Sequence, residues 1–406
     1  MVDEVWFFRP GTLAPMNPPD PILHPVAAAA HPDPYPYYAQ LRAGPALAYD
    51  EQLRLWVASR AEVVMEVLSH PALRVRPVAE PVPRAIAGTP AGELFSQLVR
   101  MNDGPLHAAH KPVLQRALAG VKLDEAHRLA LQVAAGIDDA NASLDDFCLA
   151  MPVSAVAALL GFDAAQLPAL ARWTRDFVAC LSPLSTEMQL QAASAAASEL
   201  LQRFERLMES PRPGSLLATV VDESRQAPAA QRRVLLFNLV GFLSQTCEAT
   251  AGLLGNSIVA LRREPGLHQD LLAGKSRAAD IVAEVARHDP SVQNTRRFVT
   301  QPTTVAGTQL AAGEAILVLL ASAHRDPALN PDPDRFELAR TDRRLLGFGH
   351  GAHACPGQAL AQAIAAAGLQ ALCGTRLRTP DALPASWRYR PSANGRMPVF
   401  SFEARG

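Results

Sequence analysis

A chain of 406 residues with 38 basic and 39 acidic side chains has a formal net charge of −1, which gives it no global field to attract nucleic acid or an anionic membrane. Hydrophobic residues make up 49% and charged residues 19%, the composition of a globular chain with a large core and not of a disordered one. At roughly 150 residues per domain the length allows two or three domains, or one large one.

Residues 1–34 are Pro-rich, lack sustained helical or strand period, and read as an arm wrapping a body formed by residues 35–406. From Pro36 a helical pattern (Tyr37, Tyr38, Leu41) runs to Gly44-Pro45, and residues 46–49 and 55–58 predict a short hairpin before a second helix at 61–68. Residues 75–92 hold Pro77, Pro81, Pro83, Gly88 and Pro90, which predicts a long loop of the kind that carries function. From about 105 to 290 nearly every segment has helical period. The longest, 232–263, ends before Pro265 and extends roughly 45 Å at 1.5 Å per residue. A membrane span is countered by Asn238 and the polar block at residues 244–248; a buried helix whose polar centre faces a cavity fits better. After Pro302 the period changes to two at 303–305 and 315–320, a Pro/Asp-rich loop covers 326–334, and a final helix follows Pro356. The fold class is mainly α: one α-rich domain with small β-sheets.

The five cysteines (Cys148, Cys180, Cys247, Cys355, Cys373) are odd in number and never in C-x-x-C spacing. That argues against a disulfide framework, an iron–sulfur cluster, a zinc ribbon or covalently attached haem. A reducing setting is expected, and an acidic N-terminus without a basic leader points to the cytoplasm. Cys355 lies in Leu346-Gly347-Phe348-Gly349-His350-Gly351-Ala352-His353-Ala354-Cys355-Pro356-Gly357, a glycine-loosened loop at the mouth of a helix. With Pro356 at the first helical position, free N–H groups and the helix's positive end would stabilise a thiolate there. The plain alternative is a buried Cys at an ordinary loop-to-helix junction. A zinc site from His350, His353 and Cys355 lacks a fourth ligand and is cramped.

The complete F-G-x-G-x-H-x-C-x-G arrangement resembles the haem-binding loop of the cytochrome P450 superfamily, and the segments around residues 33–38 and 56–57 resemble its soluble bacterial members. The resemblance implies a triangular α-rich fold around haem b (iron protoporphyrin IX), with Cys355 as the axial iron ligand, Phe348 beside its sulfur, Gly349 and Gly357 shaping the loop, and His353 reaching a propionate. His107 and Lys111 stand where the family has H-x-x-x-R, and Arg297, ten residues before Gly307, matches a further propionate ligand. E-x-x-R occurs five times, but only Glu284 with Arg287 lies where the family places it, 71 residues before Cys355, and Arg340 would complete the structural Glu-Arg-Arg cluster. In the central helix the family motif aligns with Gln245-Thr246-Cys247-Glu248-Ala249-Thr250. The acid is kept as Glu248 and the second Thr as Thr250, but Ala249, against the haem, replaces the relay Thr. Gln245 and Thr246, one turn earlier on the same face, are candidates for the proton relay.

By family position the substrate pocket would draw on residues 75–100, the region near Pro183, the central helix, 292–296 and 393–397; Gln293 and Asn294 are read as polar substrate contacts. The expected activity is O₂-dependent oxidation or hydroxylation of a small organic, biosynthetic substrate in secondary metabolism. A separate ferredoxin or flavodoxin, with its reductase, would supply electrons to a monomer, docking on Arg343, Arg344 and Arg116. No nucleic acid and no membrane span are expected. Rival readings are a non-hydroxylating reaction (oxidative coupling, desaturation, nitration or peroxide-driven chemistry) and a non-catalytic haem-binding or ligand-sensing protein.

Overall fold

A computed structural model describes residues 21–137, 143–182 and 185–402. Most of the Pro-rich arm and Pro183 therefore lie outside the described residues. The helices, in chain order, are α1 (Tyr35–Ala43), α2 (Ala61–Ser69), α3 (Pro90–Gln97), α4 (Gly104–Ala119), α5 (Leu123–Ile137), α6 (Leu144–Leu160), α7 (Leu167–Ala179), α8 (Glu187–Glu209), α9 (Leu216–Glu223), α10 (Ala229–Arg263), α11 (Leu267–Leu272), α12 (Ala278–His288), α13 (Leu320–His324) and α14 (Gln358–Gly374). The strands are β1 (Leu47–Asp50), β2 (Leu55–Ala58), β3 (Leu73–Arg74), β4 (Thr295–Val299), β5 (Thr303–Val305), β6 (Thr308–Leu310), β7 (Ala315–Val318), β8 (Ser386–Tyr389) and β9 (Pro398–Ser401).

Five strands form one mixed sheet in the order β1-β2-β7-β4-β3. Its centre, β7, is parallel to β2, with Trp56 opposite Ile316, and antiparallel to β4, with Arg297 also opposite Ile316. N-terminal and C-terminal halves of the chain thus share one sheet, and the register fixes the direction in which Arg297 leaves it. The hairpins β5-β6 and β8-β9 stand apart.

The main core cluster runs from Ile86 to Leu383 and gathers apolar residues of α3 to α12 with α14. α10 packs against α6 and α14, and α5 packs against α14. It is long and apolar enough to cross a membrane by composition, but most of that surface is buried in protein. Glycines let neighbours approach it: a Cβ at Gly252 would lie 2.8 Å from the Arg396 carbonyl oxygen, and one at Gly255 would lie 2.7 Å from Pro398. The C-terminal hairpin is thereby seated directly on α10.

The long loop expected at 75–92 is shorter than the prolines suggested. Pro90 occupies the first turn of α3, where a missing N–H costs nothing, and the Thr89 side chain caps the helix by accepting from the Gly92 N–H.

Candidate active site

The Cys355 loop is held from three directions. The Cys355 N–H donates to the Phe348 carbonyl at 2.7 Å and the Gly349 N–H to the Leu346 carbonyl at 2.8 Å. Gly349 has φ of 80°, and a Cβ there would come within 3.0 Å of the His353 carbonyl oxygen, so the turn requires glycine. Behind the loop, the N–H groups of Leu346 and Gly347 donate to Nε2 of His324 at 2.6 and 2.9 Å, while its Nδ1 lies 3.0 Å from the Arg287 carbonyl. His324 must therefore be neutral, with its proton on Nδ1. Burial pushes its pKa down to about 3.

Arg287 belongs to a buried ion cluster. Glu284 contacts Arg287 at 2.6 Å, Arg343 at 2.9 Å and Arg340 at 3.6 Å. It also accepts from the Glu337 N–H. Arg340 is present as expected, but the shorter contact comes from Arg343. Of the expected docking arginines, that removes Arg343, which is engaged by Glu284 and the carbonyls of Glu337 and Leu338; Arg116, paired with Glu223 at 3.0 Å, and Arg344 stay exposed.

Cys355 itself has exposed surface, yet protein closes around it tightly enough that burial raises its thiol pKa, against the Gly357 backbone N–H and the Lys111 charge. Its accessible surface therefore faces an interior space. Two expectations change. α14 begins at Gln358 with Gly357 as its cap, so Pro356 precedes the helix instead of opening it, and the protein's own groups do not keep the thiol ionised. A coordinated metal ion would supply that bias. The zinc alternative fails, because no cluster of three or more ligating side chains exists among the described residues.

Cationic groups collect beside the loop. Lys111 is buried and donates from Nζ to the Ala354 carbonyl at 2.8 Å, adjacent to Cys355. His353 Nε2 lies 2.9 Å from Asp103 Oδ1, and its ring centroid is 4.4 Å from that of His107. His107 Nε2 is buried without a partner. Arg297 is 6% exposed and bonds through its side chain to the Arg296 carbonyl; no ion pair joins it to a carboxylate among the described residues, and Asp103 is the charge that acts on it. An enclosed thiol, an orphaned imidazole nitrogen and an unneutralised buried guanidinium fit a porphyrin with an iron and two carboxylates.

Across the site, the centre of α10 interrupts an otherwise buried helix. Gln245 and Glu248 are exposed, Thr246 and Ala249 are half-buried, and Cys247 and Thr250 are buried. Burial pushes the Cys247 thiol up to about 12. Thr250, expected among the catalytic groups, is 2% exposed on the core side, which removes it from the reacting face. Gln245 donates to the Gly241 carbonyl at 2.9 Å. Surrounding protein raises the Glu248 pKa despite Arg390, 3.5 Å away, and Arg100. The exposed middle of this helix thus lies inside the molecule, at the wall of a cavity. Gln293 and Asn294 do not line it. Gln293 is fully buried, accepting from the Tyr38 hydroxyl and donating to the Pro290 carbonyl, and Asn294 donates to the Ala393 carbonyl. Their polarity serves the backbone rather than a substrate. Two further clefts, of about 410 and 220 Å³, lie by Tyr35 and Asp289 and by Cys148 and Met397, and neither is lined by Cys355.

Sequence reasoning missed His324, Arg100 and Arg390. A histidine closing the apolar run 315–323 was the one available signal for the first; nothing distinguished the two arginines from surface residues.

The chain is similar to known proteins over most of its length. A family model for cytochrome P450 matches residues 278–372. The cytochrome P450 monooxygenase PikC of Streptomyces venezuelae is 29% identical, with 86% of this chain and 84% of that protein covered. The mycinamicin IV hydroxylase/epoxidase of Micromonospora griseorubida is 27% identical over 80% of this chain and 84% of its own. The structure of Mycobacterium smegmatis CYP164A2 with econazole bound superposes with a TM-score of 0.72 at 28% identity, covering 93% and 96% of the two chains. The family match around Cys355, relatives aligned over most of both chains and a shared fold agree: the chain is similar to the cytochrome P450 monooxygenases, enzymes whose cofactor is haem b.

Proposed function

We propose that this enzyme oxidises a small organic, biosynthetic substrate with O₂, with Cys355 as iron ligand and Glu248 as proton donor. The observations that carry the reading are two accessible surfaces that protein nevertheless encloses, at Cys355 in its loop and at Glu248 in the centre of α10. One chain segment links them: Arg100 interacts with Glu248, and three residues on, Asp103 bonds His353 beside Cys355. Bound there, thiolate-ligated haem supplies O₂ activation and favours O–O cleavage.

The side chains divide the remaining work. Arg297 and His107 would hold the propionates, and His353 would reach them through its other face while Asp103 fixes its ring. Lys111 reaches the Ala354 carbonyl instead of forming a bidentate fork, so its charge acts on the thiolate. Glu248 has a raised proton affinity and an Arg390 partner that can release it, which suits a carboxyl that takes protons from solvent and passes them inward. Gln245 and Thr246 stand one turn before Ala249 and would carry the proton the last step.

Electrons would come from a separate ferredoxin or flavodoxin with its reductase, and the protein would act as a cytoplasmic monomer. Ala249 favours a second reading, a non-hydroxylating oxidation such as coupling or desaturation, because the relay hydroxyl is missing. A carbon monoxide difference spectrum of the reduced protein tests the ligand: a thiolate signature lost in Cys355→His is expected, and its retention removes Cys355 from the role. Isotopically labelled O₂ separates the two reactions, since only hydroxylation leaves label in the product.

A further inference from the structure

Arg100 sits in a single turn, residues 99–101, between α3 and α4. Two buried asparagines fix that turn. Asn238 of α10 accepts from the Val99 N–H at 2.8 Å and donates to the Gln97 and Val234 carbonyls, while Asn102 donates to the Ser96 and Leu98 carbonyls. The guanidinium is therefore presented from a rigid platform, not from a loose loop.

It is also uncompensated. Arg100 has exposed surface, yet protein encloses it, so that burial lowers its pKa and Glu248 alone opposes the shift. No carboxylate among the described residues forms an ion pair with it; Glu248 is paired with Arg390 at 3.5 Å. The one carboxylate that acts on Arg100 is thus already paired with half-exposed Arg390, so Arg100 keeps an unneutralised charge, which is costly where protein encloses it unless an anion joins it. The haem propionates do not answer the need. The groups suited to them, His107, His353 and Arg297, cluster around Asp103, whereas Arg100 belongs to the Glu248 side, at the centre of α10.

We propose that Arg100 anchors the carboxylate of the substrate, so that the enzyme oxidises an organic acid held by a charge-assisted hydrogen bond at the α10 wall. The proposal rests on the haem-monooxygenase reading of the same cavity and names its substrate class. Arginine suits the task because its planar fork matches a carboxylate.

Spin-state titrations of the haem-loaded protein provide the test, with decanoate and phenylbutyrate each compared with its methyl ester. The wild type should bind the acids about tenfold or more tightly than the esters. Arg100→Gln should lose that preference with ester affinity unchanged, and Arg100→Lys should keep part of it. Imidazole affinity, which reports the iron site directly, should be the same in all three proteins. Equal binding of acids and esters to the wild type, an acid preference that survives in Arg100→Gln, or no response to any acid overturns the proposal. Loss of haem in Arg100→Gln but not in Arg100→Lys also overturns it, by assigning Arg100 to a propionate. A wild-type carbon monoxide spectrum without a thiolate signature instead overturns the haem-thiolate reading beneath it.

Discussion

At position 249 the side chain ends in a methyl group, so the proposed proton path along α10 would depend on what flanks it. Glu248→Gln removes the ionisable group and keeps its shape; product formation should fall about 100-fold, while the carbon monoxide spectrum of the reduced protein is unchanged. Thr246→Val should lower the product formed per electron consumed, and unchanged coupling would take Thr246 out of the path. His324 makes a prediction of a different kind, about acid stability. Its folded-state pKa is depressed from 6.5 to about 3, so between these values the unfolded chain binds a proton that the folded chain does not. Its stability contribution is complete above 6.5 and is lost as pH falls toward 3. Replacing it by Asn, which retains an acceptor and a donor without titrating, should flatten the loss of stability from about pH 6 to about pH 4 by up to about 1.4 kcal/mol per pH unit. Denaturant midpoints of both holoproteins across that range measure it; parallel slopes would show that His324 titrates normally. Residues of this kind were unevenly legible. Cys355 and Glu248 could be singled out because motif spacing constrains them, whereas Gln293 and Asn294 were misread because polarity does not reveal which way a side chain points.

Elements were more readable than side chains wherever periodicity was long. α10 was expected from 232 to 263 and spans Ala229–Arg263, and the strands at 55–58 and 303–305 are β2 and β5. α3 was hidden because proline reads as a breaker while its own first turn tolerates it. The close contact of the C-terminal hairpin with α10 was equally hidden, since a glycine in a helical pattern does not say what approaches it. That contact bears on the proposed proton donor, because Arg390, just past the end of β8, pairs with Glu248. Gly252→Val would drive a branched side chain into the Arg396 carbonyl and Ser291, each 2.8 Å from the position of its Cβ. It should cost about 1–3 kcal/mol and, by shifting the hairpin and with it Arg390, weaken coupling. A variant with wild-type stability and coupling would show that the hairpin seat is dispensable.

On the scale of the whole molecule, distant parts of the chain meet at buried charges that no local pattern announces. Asp289, at the end of α12, pairs with fully buried Arg396 at 2.6 Å and accepts from the Tyr35 hydroxyl at 2.6 Å, 254 residues away in sequence. Arg396 also donates to the carbonyls of His31 and Pro32 and lies 3.5 Å from the Tyr389 ring centroid. Residues 31–35, the end of α12 and the C-terminal hairpin are thus tied at one point, contacts that a division of the chain into separate N- and C-terminal domains would cut. Burial works against the Asp289 charge, but Arg396 and the Tyr35 hydroxyl outweigh it and hold the carboxyl below its usual range. Its contribution is therefore present above the ordinary carboxylate pKa and is lost as pH falls through the depressed one. Removing one partner strands the other inside the protein. Asp289→Asn and Arg396→Met should each destabilise by about 3–5 kcal/mol, and the double variant should cost clearly less than their sum, because the second change removes the charge that the first left unpaired. Urea unfolding of the three variants at neutral pH measures this coupling; additive losses would mean that the two groups act independently and that the termini are fastened elsewhere.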